Sequence, residues 1–336
     1  LEYKKSKTEK EERMKLKDIK KVAVVGAGIM GTGITQNFAQ AGFQVSLHDV
    51  NEKSLENALL LVKANLETFV ENNIITRKQA KDTLPRIKTT TDLAEAVGNA
   101  YFITEAIFEV MDVKKDIFRK LEELCPSDAI LASDSSTLPI SEIAKATKRP
   151  ERVILTHYLN PPHVMPVVEV VKGDKTSDET INITREMMIK IGKTPAVLAK
   201  TIPGYLVNSF NSAILGTAVE LMEDGVSSKE EIDALFKYAL GPRLSVLGPF
   251  EILDSFGLDL VRTAARGMVS MGVKRWEPLL NSVTIKELVD AGNFGLKTGK
   301  GYYDYTEKPH EEIMNVINER LFAKFIDVLR ERLLKN

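Results

Sequence analysis

His157 and Glu169 stand twelve positions apart in the stretch RVILTHYLNPPHVMPVVEVV, residues 152–171. An imidazole and a carboxylate in contact form an acid/base device. The carboxylate takes one ring nitrogen, sets the tautomer and raises the basicity, and the other nitrogen is left to move protons near neutral pH. Val153, Ile154 and Leu155 make an apolar run that ends at His157, and Val167, Val168 and Val170 make a second around Glu169. Between them Asn160-Pro161-Pro162 predicts a turn, because proline fixes φ and the residue before it avoids the helical region. Two short strands therefore lie side by side. Alone, the pair reads first as a buried histidine beside a structural glutamate; the remainder of the chain reverses that order.

The elements that must position the pair begin at residue 21. Val22-Ala23-Val24-Val25 suits a buried parallel strand. It runs into Gly26-Ala27-Gly28-Ile29-Met30-Gly31, a G-x-G-x-x-G pattern, and Ile34, Phe38 and Ala41 follow at helical spacing until Gly42. The glycines Gly26, Gly28 and Gly31 permit a tight turn, close approach to a pyrophosphate and close helix–strand packing. The helix N-terminus offers free N–H groups and a positive dipole end to phosphates. Residues 44–47 read as the next strand, and Asp49 just beyond it is placed to accept from a ribose 2′-OH. It would repel a 2′-phosphate, so NAD is expected rather than NADP.

Further strands are predicted over residues 100–104 and 129–132, with helices through Leu55, Leu59, Val62, Leu66 and Phe69, and through Val113, Ile117 and Leu121. The charges from Arg77 to Asp82 read as a solvated face. Such alternation specifies a parallel sheet whose ligands bind beyond the carboxyl ends of the strands. Ser136 and His157 both follow such ends. The hydroxyls of residues 133–137 could equally cap a helix beginning near Ile140. After the break at Thr201-Ile202-Pro203-Gly204 the chain reads as helices over residues 205–222, 228–240 and 311–334, with acids Glu230 and Glu231 after a cap at Ser227 or Ser228. The glycine-rich residues 293–305 read, without context, as a surface loop.

Composition bounds the reading. At 336 residues two domains are the prior, and 43% hydrophobic with 28% charged residues describes a globular chain. With 46 Lys+Arg against 47 Asp+Glu, there is no global attraction to nucleic acid or anionic membrane. The single Cys125 excludes an internal disulfide and fits a reducing, cytoplasmic setting. No apolar run reaches the ~18 residues of a membrane span, and no metal is expected at the site. Residues 1–13 read as a charged, solvated tail with Met14 a candidate start. Residues 14–200 then form a nucleotide-binding domain and 201–336 a helical domain for substrate and dimerisation.

The pieces GAGIMGTGI, EAIFEVMDVKK, ASDSSTL, HYLNPP with VVEVV, PGYLVN, GPFEILDSFGLD and FGLKTGKGYY, in that order, resemble the L-3-hydroxyacyl-CoA dehydrogenases of fatty acid metabolism and their relatives acting on L-gulonate and L-carnitine. The resemblance covers nearly all of residues 14–305. It implies an α/β protein with a Rossmann-type doubly wound, mostly parallel sheet followed by an all-α C-terminal domain, NAD as cofactor, and a homodimer through the helical domain. It also implies roles: His157 as general acid/base, Glu169 as its orienting partner, Ser136 as catalytic serine, Asn208 as substrate-binding asparagine, and Glu109 and Lys114 as nucleotide contacts.

Three departures bear on substrate. Pro166 stands where the coenzyme A branch carries a lysine, and Asn72 falls where that branch meets the coenzyme A phosphates with another. Gly241-Pro242-Arg243-Leu244-Ser245-Val246 resembles the G-x-R segment of the gulonate and carnitine relatives, and Arg243 could hold a free carboxylate bidentately. The EILDSFGLD and KTGKGYY segments resemble the acyl-CoA branch, while Asp134, where that branch has asparagine, favours neither. The expected substrate is a 3-hydroxyacyl-CoA, with Lys63 and Arg77 as candidate basic contacts. A small free 3-hydroxycarboxylate is the alternative. A non-catalytic NAD-binding protein is a third reading, opposed by the intact Ser136, His157, Glu169 and Asn208.

Overall fold

The structure is a computed structural model and describes residues 16–333; the charged tail of residues 1–13 and Met14 lie outside the described residues. The chain divides into two compact units between Ala213 and Ile214.

The first unit alternates strand and helix: β1 (Lys21–Val25), α1 (Ile29–Gln40), β2 (Gln44–His48), α2 (Glu52–Glu71), α3 (Arg77–Thr83), β3 (Ile87–Thr90), α4 (Leu93–Val97), β4 (Phe102–Glu105), α5 (Met111–Leu124), β5 (Ile130–Ser133), α6 (Ile140–Ala144), β6 (Val153–Tyr158), β7 (Val167–Lys172), α7 (Asp178–Lys190) and β8 (Thr194–Leu198). Helix α8 (Tyr205–Glu223) follows and carries the unit boundary. Among the described residues the eight strands form one sheet in the order β3-β2-β1-β4-β5-β6-β7-β8. The first six run parallel; β7 turns back antiparallel to β6, and β8 lies parallel to β7. Strands β4, β5 and β6 are buried at every residue, which explains their continuous apolar runs. Two apolar clusters line the two faces, one around Ile34, Phe38 and Phe102, the other around Phe118, Leu121 and Leu155.

Edge strands β3 and β8 gave no sequence signal. IKTT is polar and half-buried, and TPAVL carries Pro195, which a sheet tolerates at its margin. The run Arg77 to Asp82, expected only as a charged face, is helix α3, closed by a capping box between Thr76 and Gln79.

The second unit contains α9 (Lys229–Leu235), a π-helical turn (Phe236–Leu240), α10 (Gly241–Leu244), α11 (Pro249–Phe256), α12 (Leu258–Ser270), α13 (Glu277–Leu280), α14 (Val283–Asp290) and α15 (His310–Leu333). Ser228 caps α9 in a box with Glu231, as its sequence predicts. The glycine-rich stretch is more than a surface loop. The fully buried Asp254 of α11 accepts from the N–H groups of Tyr302 (2.9 Å) and Tyr303 (3.0 Å) and from the Tyr305 hydroxyl (2.9 Å). A Cβ on Gly295 or Gly301 would stand 2.2 Å from an oxygen of Asp254, so the two segments meet only because those positions are glycine.

Asp134, just past β5, is buried and accepts from the Tyr158 N–H at 2.8 Å, tying the ends of β5 and β6. Burial pushes its carboxyl well above the ordinary range, and the neighbouring Glu105 and Glu109 charges add to this, against the opposing pull of the Tyr158 N–H and Lys114. The folded state thus holds a proton that the unfolded chain releases at ordinary carboxylate pH. The stability this carries is full at low pH and is lost as pH rises through the raised folded value. Asp134→Asn keeps the acceptor without the charge. Its melting temperature should match the parent near pH 4 and exceed it by several degrees at pH 8; equal differences at both pH values would remove burial of charge as the cause.

Candidate active site

The β6–β7 hairpin sets His157 directly opposite Glu169 in register, and His157 Nδ1 lies 2.7 Å from Glu169 Oε2. The peptide bond between Asn160 and Pro161, in the connecting turn, is cis. Both side chains are buried, His157 at 5% and Glu169 at 1% exposure. An ionised carboxylate only accepts, so Nδ1 carries the proton and the lone pair falls on Nε2. The other carboxylate oxygen, Oε1, accepts from the N–H groups of Leu206 (2.7 Å) and Val207 (3.0 Å), which are otherwise unbonded donors of the first turn of α8. Burial, the largest influence on Glu169, raises its pKa; the bonds from His157, Val207 and Leu206 together outweigh it, and the carboxyl ends below its ordinary value.

Tyr205 opens α8 and has no counterpart among the residues singled out in the sequence. It is buried, with its ring centroid 5.4 Å from that of His157 and its hydroxyl donating to Leu138 O at 3.0 Å. Its φ of 54° is a left-handed value that a bulky side chain rarely adopts. The Pro203-Gly204 break before an aromatic residue was the available signal.

Ser136 sits on the loop after β5, and Glu109 organises that loop. One oxygen of Glu109, Oε1, accepts from the N–H groups of Ser136 (3.0 Å), Thr137 (2.8 Å) and Leu138 (3.3 Å) and from the hydroxyls of Ser135 (2.6 Å) and Thr137 (2.9 Å). Burial raises the Glu109 pKa, but the bonds from Ser135 and Thr137 and the Lys114 charge bring it below the ordinary value. These hydroxyls do not cap α6, whose N-cap is Pro139 and has no side-chain cap bond. Glu109 recruits them because its carboxylate is the stronger acceptor. Asn208, one turn into α8, donates from Nδ2 toward Ser136 O at 3.5 Å, so it stands beside the same loop. Lys114 is fully buried, its ammonium 2.6 Å from Glu105 Oε1 and 3.4 Å from Glu109 Oε2, and Glu105 Oε2 accepts from Ser133 Oγ at 2.7 Å.

At the glycine loop lies a groove of about 870 Å³ walled by Gly26, Gly28, Met30, Asp49 and Phe108. Asp49 accepts from the Ala27 N–H at 2.8 Å through Oδ2 and from the Asn51 N–H at 3.0 Å through Oδ1, bracing the glycine loop. Gly26 has φ 108°, and a Cβ on Gly31 would stand 1.8 Å from Gly26 O, whereas the space over Gly28 is open. Gly28 is the N-cap of α1 and supplies no side chain, so the first-turn N–H groups face the groove uncapped by a side chain. A dinucleotide fits these features: open backbone for a pyrophosphate, and a carboxylate at the end of β2 for a ribose.

Among the residues pertinent to substrate, Asn72 ends α2 and donates to Thr68 O at 2.8 Å, and Arg77 is paired with Glu67 at 3.2 Å. Arg243 is exposed on α10, its guanidinium 5.7 Å from the centroid of the Phe256 ring.

Residues 21–202 match the family model of the 3-hydroxyacyl-CoA dehydrogenase NAD binding domain, and residues 204–305 that of the 3-hydroxyacyl-CoA dehydrogenase C-terminal domain. The chain is 37% identical over 292 residues to a probable 3-hydroxybutyryl-CoA dehydrogenase of Bacillus subtilis, covering 87% of this chain and 99% of the relative. It is 32% identical over 288 residues to the 5-formyl-3-hydroxy-2-methylpyridine 4-carboxylate 5-dehydrogenase of Mesorhizobium japonicum, covering 86% and 91%. The crystal structure of a 3-hydroxyacyl-CoA dehydrogenase from Archaeoglobus fulgidus superposes with a TM-score of 0.76 at 31% identity, over 92% of this chain and 98% of that one. The chain therefore belongs to the 3-hydroxyacyl-CoA dehydrogenase family, and is an NAD-dependent oxidoreductase acting on a CH–OH group.

Proposed function

We propose that the protein oxidises the 3-hydroxyl of an L-3-hydroxyacyl-CoA to a ketone, with His157 as the acid/base. The observation that carries this reading is the His157–Glu169 contact, with Glu169 seated on the N-terminus of α8. In this reading His157 Nε2 takes the hydroxyl proton, and Glu169 stabilises the imidazolium that results. Ser136 and Asn208 hold the substrate oxygen and stabilise the charge it develops. NAD, bound in the groove, supplies the acceptor for the hydride. Gly28 would receive its pyrophosphate over the turn that Gly26 and Gly31 make possible, and Asp49 its ribose, while Lys114 braces the groove wall at Ile107 O and Glu109 holds the Ser136 loop.

The thioester is favoured by the relatives' names and by the Asp254 lock that joins the two segments resembling the acyl-CoA branch. Two observations favour a free carboxylate instead: Arg243 offers an exposed guanidinium set over the Phe256 ring, and the Mesorhizobium relative is named for a pyridine carboxylate. The helical unit is further proposed to form a two-fold homodimer. On α8, Leu215 is 63% and Val219 49% exposed, and their i, i+4 spacing puts them on one face of the helix. Sedimentation at micromolar concentration should give a dimer; a monomer would dispose of that part.

His157→Gln should lower kcat by ~10²–10⁴ with NADH binding retained, and a loss below about tenfold would reject the role. Glu169→Gln should also lower kcat and displace the pH–rate profile, because the imidazolium loses its partner; an unmoved profile would leave Glu169 a structural role only. Rates on acetoacetyl-CoA and on free 3-hydroxy acids, followed by NADH absorbance, test the substrate. For a thioester Arg243→Met should leave acetoacetyl-CoA kinetics nearly unchanged. Activity on free acids alone, with KM raised by the equivalent of roughly 1.5–3 kcal/mol in Arg243→Met, would overturn the thioester reading.

A further inference from the structure

Lys193 is a buried cation to which the reaction as described gives no part. It is 7% exposed, and among the described residues no carboxylate is bonded to it. Its Nζ instead donates to two backbone carbonyls, Pro162 O at 2.6 Å and Met165 O at 2.8 Å. Burying an ammonium is costly unless its donors are met, and bonds from a charged donor are roughly twice as strong as neutral ones. Burial pulls the group down to about 8, so near neutral pH it still carries most of its charge.

Both carbonyls belong to the turn between β6 and β7, whose two flanks carry His157 and Glu169. The lysine is itself anchored: its N–H donates to Met188 O in α7 at 2.9 Å, and the next amide, Thr194 N–H, donates to Pro166 O at 2.7 Å. On its other side the turn meets the dinucleotide helix. Asn37 Nδ2 on α1 donates to the same Pro162 carbonyl at 2.9 Å, and a Cβ on Gly33 would stand 2.5 Å from Pro162 Cγ. His163, the titratable residue of the turn, packs on Phe69 of α2 with ring centroids 6.0 Å apart. Burial first, and the Lys193 charge second, hold its pKa below the ordinary value, so the charge on this turn rests on the lysine.

We propose that Lys193 is a positioning residue for hydride transfer: it draws Pro162 O and Met165 O onto one cation and fixes the hairpin turn against α1, so that the His157–Glu169 pair and the cofactor cradle keep a single spacing. This rests on the dehydrogenase reading above. Lys193→Met removes both bonds at similar side-chain length, and Lys193→Arg keeps a cation with several donors. For Lys193→Met, kcat on acetoacetyl-CoA should fall by about tenfold to a hundredfold, the scale of a misplacement near 1 Å. KM should stay within about twofold, as for an interaction that matters to the transition state rather than to binding. Hydrogen exchange over residues 158–168 of the NADH-bound protein should quicken, and Lys193→Arg should recover most of both losses. A Lys193→Met protein with lowered melting temperature but parental kcat and exchange would make the lysine merely structural and overturn the proposal. If that variant does not fold, Asn37→Leu, which releases the same carbonyl from the α1 side, decides: faster exchange with lowered kcat supports the proposal, and parental values overturn it. The exchange measurement needs no turnover. A parent inactive on acetoacetyl-CoA therefore counts against the substrate reading, while the exchange difference judges the clamp.

Discussion

A carboxylate removed from water must have its lone pairs satisfied, and Glu169 meets that requirement from two directions at once. One oxygen faces His157 across the hairpin and the other gathers the first two free amides of α8. The helix end favours the anion, and the anion, which only accepts, fixes the ring proton on Nδ1. Because α8 is seated on that carboxylate, Tyr205 and Asn208 are carried into place as well, the first against the imidazole and the second beside the Ser136 loop. Much of the site hangs from one side chain.

Glu109 performs the matching task on the other side. Five donors of the 135–138 segment converge on a single oxygen, which gives a loop without regular structure one common anchor. Beneath it Lys114 offsets two acids, Glu105 and Glu109, and leaves Asp134 as the carboxyl whose charge is least welcome. The cost of crowding acids at the ends of parallel strands therefore falls on Asp134 rather than on the two acids that Lys114 bonds.

The parts legible in the sequence were those with strong local signals. The buried strands read as apolar runs, the glycine loop read from its strand–turn–helix context, and the hairpin read from its prolines flanked by valines. The sheet's margins did not, since IKTT and TPAVL lack both an apolar run and clean alternation, and their pairing depends on neighbours far away in the chain. For Tyr205 the break at Pro203-Gly204 marks only the start of a helix; its importance lies in a left-handed backbone and a ring contact with a residue 48 positions earlier. Asp254 and the glycine-rich stretch each stood out, but the hydrogen bonds that join them span about fifty residues and have no local trace. Lys193 has no local signature, since the two carbonyls it holds lie 31 and 28 residues earlier.

The reversal of direction at β7 has a consequence for how the site comes together. A parallel crossover would have separated the imidazole from its carboxylate by a whole helix, whereas the hairpin separates them by twelve residues. The entropy lost in closing a loop grows with the logarithm of its length. On that count the pair costs less to close than the contacts that join it to the rest of the site. The closures that give it chemical meaning are longer: 27 residues from Glu109 to Ser136, 37 from Glu169 to Leu206, and 72 from Ser136 to Asn208. On chain length alone, the histidine and glutamate are the nearer neighbours, and the Ser136 loop and Asn208 are brought to them only by the longer closures.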